Sequence, residues 1–356
     1  MKKKIKAQSG ALVISAFAAC VLVACVLVAC GGGGSGGGSG STPTSQPPVA
    51  TTNTTASTIT TATVTPNYTA EELAAYNAVS TARTTCGFGG VNQNASLDAA
   101  TLNHNDYSTR NYQFGHFETA GLAGYTGNQP YQRGVAAGYT PSFIHYGEVL
   151  AYASNIPKAG FGLLGTRRLL GAPYHLTGLM GVDRELGINV RSAGPAGTGA
   201  DFTTTNPSWA PSVYLGIDLA SQPSMPSQHQ SGTDVLTYPC SGVTGTIYQL
   251  TAETPNPVPS RNLLTTPIGQ PIFVQVLAGN ALVITGASVS GPSGSVALLP
   301  TMTSANDPNS ELLANQAMIM PSGPLSPSTT YTVSITGTNN GMQFSRNFTF
   351  TTGSTS

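Results

Sequence analysis

The stretch GHFET, Gly115–Thr119, sets His116 between a glycine and a phenylalanine, with an acid, Glu118, two residues on. An imidazole in such a setting can hold a metal ion, act as a general base or bond a backbone carbonyl. The other four histidines offer less. His104 follows Leu97 and Thr101 at helical spacing, which points to packing. His145 could support a nearby acid or simply stand in a loop, and His229, in PSQHQSG, reads as part of a solvated linker. No Gly-x-Ser-x-Gly elbow is present to support a serine hydrolase, and no Cys-x-x-Cys to support a thiolate metal site.

Of five cysteines, Cys20, Cys25 and Cys30 fall in the N-terminal segment, leaving Cys86 and Cys240. In an oxidising compartment these two are expected to form a disulfide. Closing a loop of that length contributes ~4–5 kcal/mol in the chain-entropy account.

The N-terminus sets the compartment. Lys2, Lys3, Lys4 and Lys6 precede an almost purely apolar run from Ala11 to Ala29, the pattern of an export signal. On length alone the run could instead span a bilayer as an uncleaved anchor. LVAC occurs twice, ending at Cys25 and at Cys30, and the second copy opens into GGGGSGGGSG. This resembles a bacterial lipobox, so residues 1–29 read as a lipoprotein signal peptide and Cys30 as the acylated residue that anchors the chain in the membrane. The implied location is the bacterial cell envelope, lipid-anchored at the outer membrane, or the exterior.

Removing residues 1–29 takes four of 14 basic residues and no acid, leaving 10 against 14, a net charge of −4. Lys158 is then the only lysine. So few cations cannot neutralise many phosphates, which excludes nucleic acid as the expected partner. Nothing in the sequence asks for more than a monomer.

The elements that must position the chemistry start after a tether. Residues 30–66 are Gly, Ser, Thr, Pro and small apolars, a composition unable to bury a core. As flexible chain it would reach ~30–35 Å. Thr69 and Glu72 form a capping box before Leu73 and Tyr76, and Ser96 is the expected N-cap of a second helix through Leu97, Thr101, His104 and Tyr107. ELGINVRS and SVYLGIDLA read as paired strands. Residues 221–265 read as a linker. From 266 to 354 short strands alternate with turn clusters, and NNG at Asn339–Gly341 marks a hairpin. This is an all-β sandwich, and LSPSTTYTVSITGTNNG resembles a hairpin of bacterial immunoglobulin-like modules. It carries few charged residues and reads as a spacer or adhesion module that adds nothing to a site.

Three stretches carry a further resemblance in a fixed order: LNHNDYSTRNYQFGHF, then GYTGNQPYQRGVAAGYTPSFIHYGE, then LLGAPYHLTGLMGVDRELGINV. Together they resemble the bacterial branch of the CAP superfamily (cysteine-rich secretory, antigen 5 and pathogenesis-related, or SCP-like, proteins) over residues 67–220. The resemblance implies an α+β chain: a CAP-like α-β-α sandwich followed by the β-sandwich. It implies a shallow cleft in which His116, Glu148 and His175 match the family's early histidine, its Gly-Glu acid and its late histidine. No acid stands between Glu148 and His175, where the family's second carboxylate belongs, and GTRRLL replaces its usual tryptophan. Glu118 or Asp106 would have to substitute. Two imidazoles and a carboxylate could hold a divalent ion such as zinc with open positions and activate a bound water. The function expected is binding of a lipid, glycan or peptide of the envelope in this cleft, with a metal-dependent hydrolase or a vestigial surface protein as the alternatives. Tyr112, Tyr125, Tyr131, Tyr139 and Tyr146 could line it or could pack beneath it.

Overall fold

The computed structural model describes residues 49–50, 68–204, 211–225 and 231–356. Cys30, His229 and the apolar run at 11–29 lie outside them. Among the described residues no helix is long and apolar enough to cross a membrane.

The chain is mixed α and β. After a two-residue strand β1 (Val49–Ala50), α1 (Ala70–Thr85) begins at the expected capping box, Thr69 N–H bonding Glu72 at 2.8 Å. Next come β2 (Asn92–Gln93), α2 (Ala95–Asn111) and α3 (Pro130–Ala136). The cap of α2 is Asn94, not Ser96. Its amide oxygen takes the N–H of Ser96 at 2.9 Å and of Leu97 at 3.3 Å, because asparagine reaches both first-turn donors from an extended backbone. β3 (His145–Ser154), α4 (Phe161–Leu170), α5 (Pro173–Leu179), β4 (Glu185–Pro195), β5 (Phe202–Thr204) and β6 (Ser212–Ser221) follow.

The central sheet runs β2-β4-β6-β3, with β5 beside β4, and the two strands expected to pair, β4 and β6, do so antiparallel. Side chains alternate across its faces. Gly216 of β6 lies against Asn105 of α2, while its neighbour Leu215 lies against Gly165 of α4. On β3, Val149 meets Gly178 of α5, so Glu148 and Leu150 face the other way, toward α2 and α3. The sheet is thus covered by α2 and α3 on one face and by α4 and α5 on the other, with α1 packed on α4. α2 sits hard against the sheet: a Cβ on Gly187 would come within 2.1 Å of the Leu97 backbone.

The remaining strands form two sheets. β7 (Leu236–Tyr238), β9 (Ile272–Gln275), β12 (Met302–Thr303) and β13 (Gln316–Ile319) make an inner one in the order β12-β13-β9-β7. β8 (Val243–Thr246), β10 (Leu282–Gly291), β11 (Gly294–Val296), β14 (Thr330–Asn339) and β15 (Met342–Thr352) make the outer one, with β1 added to β15. The Asn339–Gly341 turn joins β14 to β15, with positive φ at Asn340 and Gly341.

Two expectations about this region are corrected. Residues 221–265 are not merely a linker, since β7 and β8 each belong to a sheet. The sandwich is not a detached spacer either. Ile272, Val274, Ala317 and Ile319 of the inner sheet face the outer sheet, whereas Phe273, Met302 and Met318 join the core of the α/β part. The inner sheet is buried on both faces, and Phe273 stacks on Phe88 at 6.0 Å. Cys86 and Cys240 form the expected disulfide beside this contact, with Cα atoms 5.5 Å apart.

Candidate functional site

His116 leaves α2's trailing loop and meets β3. Its Nδ1 lies 3.0 Å from Glu148 Oε1. The imidazole is 40% exposed and the glutamate side chain 1%. β3 fixes Glu148, and α3, started by Pro130 at its first turn, fixes Arg133 against it. Arg133 is fully buried and donates to Glu148 Oε2 at 2.6 Å and to the His116 carbonyl at 2.9 Å. It therefore holds both the carboxylate and the backbone of the residue the carboxylate orients. Burial opposes ionisation of Glu148, but His104, the His116 hydrogen bond and Arg133 together outweigh it and hold the carboxyl down to about 2.

Glu118 closes the network from behind. It lies 3.0 Å from His104 Nδ1 and 3.7 Å from Arg133, and accepts the Thr126 N–H at 2.7 Å. His104, 1% exposed, gives its other nitrogen to the Gly115 carbonyl at 2.9 Å. It is a structural histidine that shapes the loop carrying His116. Asp106 plays no part here and binds Arg110 and Arg191 instead.

Asp218 supplies a second acid. It stands directly across the β3–β6 pair from Glu148 and accepts the Tyr146 hydroxyl at 2.5 Å. Burial, and then the negative charge of Glu148, push its carboxyl well above the ordinary range. The two neighbouring carboxyls are thus pushed in opposite directions, the arrangement that divides acid and base roles between such pairs. Asp218 is 0% exposed, however, so a ligand cannot touch it. The clue in the sequence was a lone acid inside the apolar run VYLGIDLA. Arg133 left a weaker trace, one arginine in a glycine- and tyrosine-rich loop.

His175 does not join His116 and Glu148. α5 lies on the Val149 face of β3, so the sheet separates it from the Glu148 side chain, and its Nδ1 bonds Glu253 at 2.8 Å. Its neighbour Tyr174 donates to Asp307 of the sandwich at 2.5 Å. His145 does not support Glu148 either. It points to the opposite face and bonds Asp183 at 2.8 Å. All four described histidines thus set Nδ1 against a buried carboxylate.

Among the described residues no three His, Cys, Asp or Glu side chains are grouped to hold a metal ion. The chemistry of the site agrees. Glu148 already spends one oxygen on His116 and the other on a guanidinium, whose positive charge repels a divalent cation at that position. The residues present do not fit a zinc centre of His116, Glu148 and His175. Of the tyrosines, Tyr139 and Tyr146 pack together at 6.0 Å, while Tyr112, Tyr125 and Tyr131 are exposed.

No protein-family model and no curated protein sequence matches the chain. Among solved structures it is similar to an extracellular protein containing an SCP domain from Bacillus anthracis str. Ames, at 11% identity and a TM-score of 0.31. The match covers 46% of this chain and 45% of that one, so the chain spans less than half of the structure it resembles.

Proposed function

We propose that this is an exported cell-envelope protein, anchored through acylated Cys30, whose CAP-like part binds an envelope ligand at His116. The observation that carries the reading is a half-exposed imidazole held through Nδ1 by a buried glutamate, itself locked by a buried arginine. Holding Nδ1 as donor leaves Nε2 as a fixed acceptor facing solvent, ready to take a hydrogen bond or a proton from a ligand. The burial of Asp218, which keeps the second acid from any ligand, favours binding over hydrolysis. The disulfide supports export. The sandwich, read as immunoglobulin-like, props this part rigidly through the shared core.

Binding of the purified chain to solubilised peptidoglycan fragments and to phospholipid vesicles tests the reading. His116→Ala should abolish whichever binding is seen, while costing about 1 kcal/mol of stability or less, because Glu148 keeps Arg133. Unchanged binding by the variant to both probes rejects the site.

A further inference from the structure

The loop that carries His116 also carries exposed aromatic rings, and these lie over the same edge strand. Phe114 is 53% exposed. Its ring rests 5.3 Å from Tyr152 and 6.5 Å from Tyr214, which are 5.1 Å from each other. Tyr152, Tyr214 and Arg191 form one rung across β3, β6 and β4, on the face turned toward α2 and just beyond the end of that helix. Arg191 bonds Asp106 at 2.6 Å, and Arg110, also on Asp106, lies 5.5 Å above the Phe202 ring. Tyr112, 43% exposed, caps α2 at a φ of 51°, a conformation that crowds a side chain. That turn sends the chain back over β3 and lets Tyr112 bond Tyr152.

We propose that the exposed rings over this rung, Phe114 and Tyr112, are a second subsite of the His116 cleft and that the ligand spanning both is a neutral glycan chain. The proposal rests on the reading of His116 as a binding residue and names its ligand class. Sugar rings offer polarised C–H bonds that meet the negative face of an aromatic ring, and hydroxyls for the edges around it. Here tilted rings alternate with tyrosine hydroxyls and the Arg–Asp cluster, which suits that mixed surface better than it suits a lipid tail. An anionic polymer finds only one net positive charge here, because Asp106 offsets one of the two guanidinium groups of Arg110 and Arg191. A peptide adding to the edge of β3 is disfavoured, because Val149, Leu150 and Ala151 at the strand's centre are buried. Four residues of strand separate Tyr152 from Glu148, roughly 13 Å, so the ligand must be longer than one sugar ring.

Calorimetry with uncharged β-1,4-linked N-acetylglucosamine oligomers tests this. The tetrasaccharide should bind at least tenfold more tightly than the disaccharide, and Phe114→Ala should weaken it about three- to tenfold with near-ultraviolet dichroism unchanged. Equal affinity for the two lengths, or indifference to Phe114→Ala, overturns the proposal. So does failure of both sugars to bind; if His116-dependent binding to peptidoglycan fragments or vesicles then persists, only the ligand class is wrong. Tetrasaccharide binding that needs Phe114 but not His116 keeps the aromatic subsite and removes the reading of His116 on which it was built.

Discussion

His116 and His175 make the same bond to a buried glutamate, at 3.0 and 2.8 Å, and their surroundings give it opposite uses. His116 is 40% exposed and its glutamate is shared with a guanidinium. His175 is 16% exposed, and its partner Glu253 comes from the segment between β8 and β9. The first pair presents a nitrogen to solvent; the second ties α5 to a different part of the chain, beside the Tyr174–Asp307 bond. A histidine–carboxylate pair is therefore no sign of a site by itself. What distinguishes the first pair is the buried counter-charge behind it and the open side in front.

Arg133 is the sharpest place to break that contrast. Arg133→Met keeps the bulk but leaves Glu118 and Glu148 buried without their cation, and should cost about 3–5 kcal/mol. The urea midpoint of the variant measures this, and a loss under about 1 kcal/mol would show that the guanidinium is not the keystone. The pH profile should change with it. Glu148 is ionised below its ordinary range in the folded chain, so its contribution to stability is present above a pH of about 4.5 and lost as the pH falls toward about 2. Removing Arg133, one cause of that depression, should shrink this acid-side slope.

The second pair should respond less. Glu253→Gln keeps a hydrogen-bonding oxygen for His175 but removes the charge, and should cost about 1–2 kcal/mol, the difference between a charge-assisted and a neutral bond. Binding at His116 should be untouched, because the central sheet lies between the two. A parallel loss of binding would mean that the two pairs are coupled through β3.

The elements were legible where local chemistry decides them. The Thr69–Glu72 box, the β4–β6 pairing and the Asn339–Gly341 turn all depend on neighbouring residues or on strict alternation. The pairing of Cys86 with Cys240 followed from elimination. What remained hidden was decided by which face a residue occupies. Glu148 and Val149 are adjacent, yet one looks to α3 and the other to α5, so the order of residues in a family motif could not reveal that His175 lies across the sheet. Asp218 was missed for the converse reason. It is 70 residues from Glu148 in sequence and directly opposite it in register. The double burial of the inner sheet likewise needs both of its partners in place before Phe273 and Val274 can be told apart.

His145 gives the weakest and most specific test of the comparison. Like His116 it is exposed, 52%, and leans on a buried carboxylate, Asp183. The buried Arg83 guanidinium feels the charge of that carboxylate and grips the backbone around it, at the carbonyls of Leu179, Gly181 and Asp183. The hydrogen bond that the imidazole donates to Asp183 raises its affinity for a proton; burial works against it, and the acid's charge adds to it. A folded-state value raised above that of the unfolded chain stabilises the fold fully below a pH of about 6.5, and that stabilisation is lost as the pH rises through the folded value. Asp183→Asn removes the charge and preserves the shape, so it should lower the His145 titration midpoint and flatten the fall in stability as the pH rises above about 6.5. Because the ring is half in water, the stability change should stay well under 1 kcal/mol. Proton resonance titration of His145 reads the effect directly. An unmoved midpoint would leave the pair as geometry alone, a carboxylate that positions the histidine above it without tuning its titration.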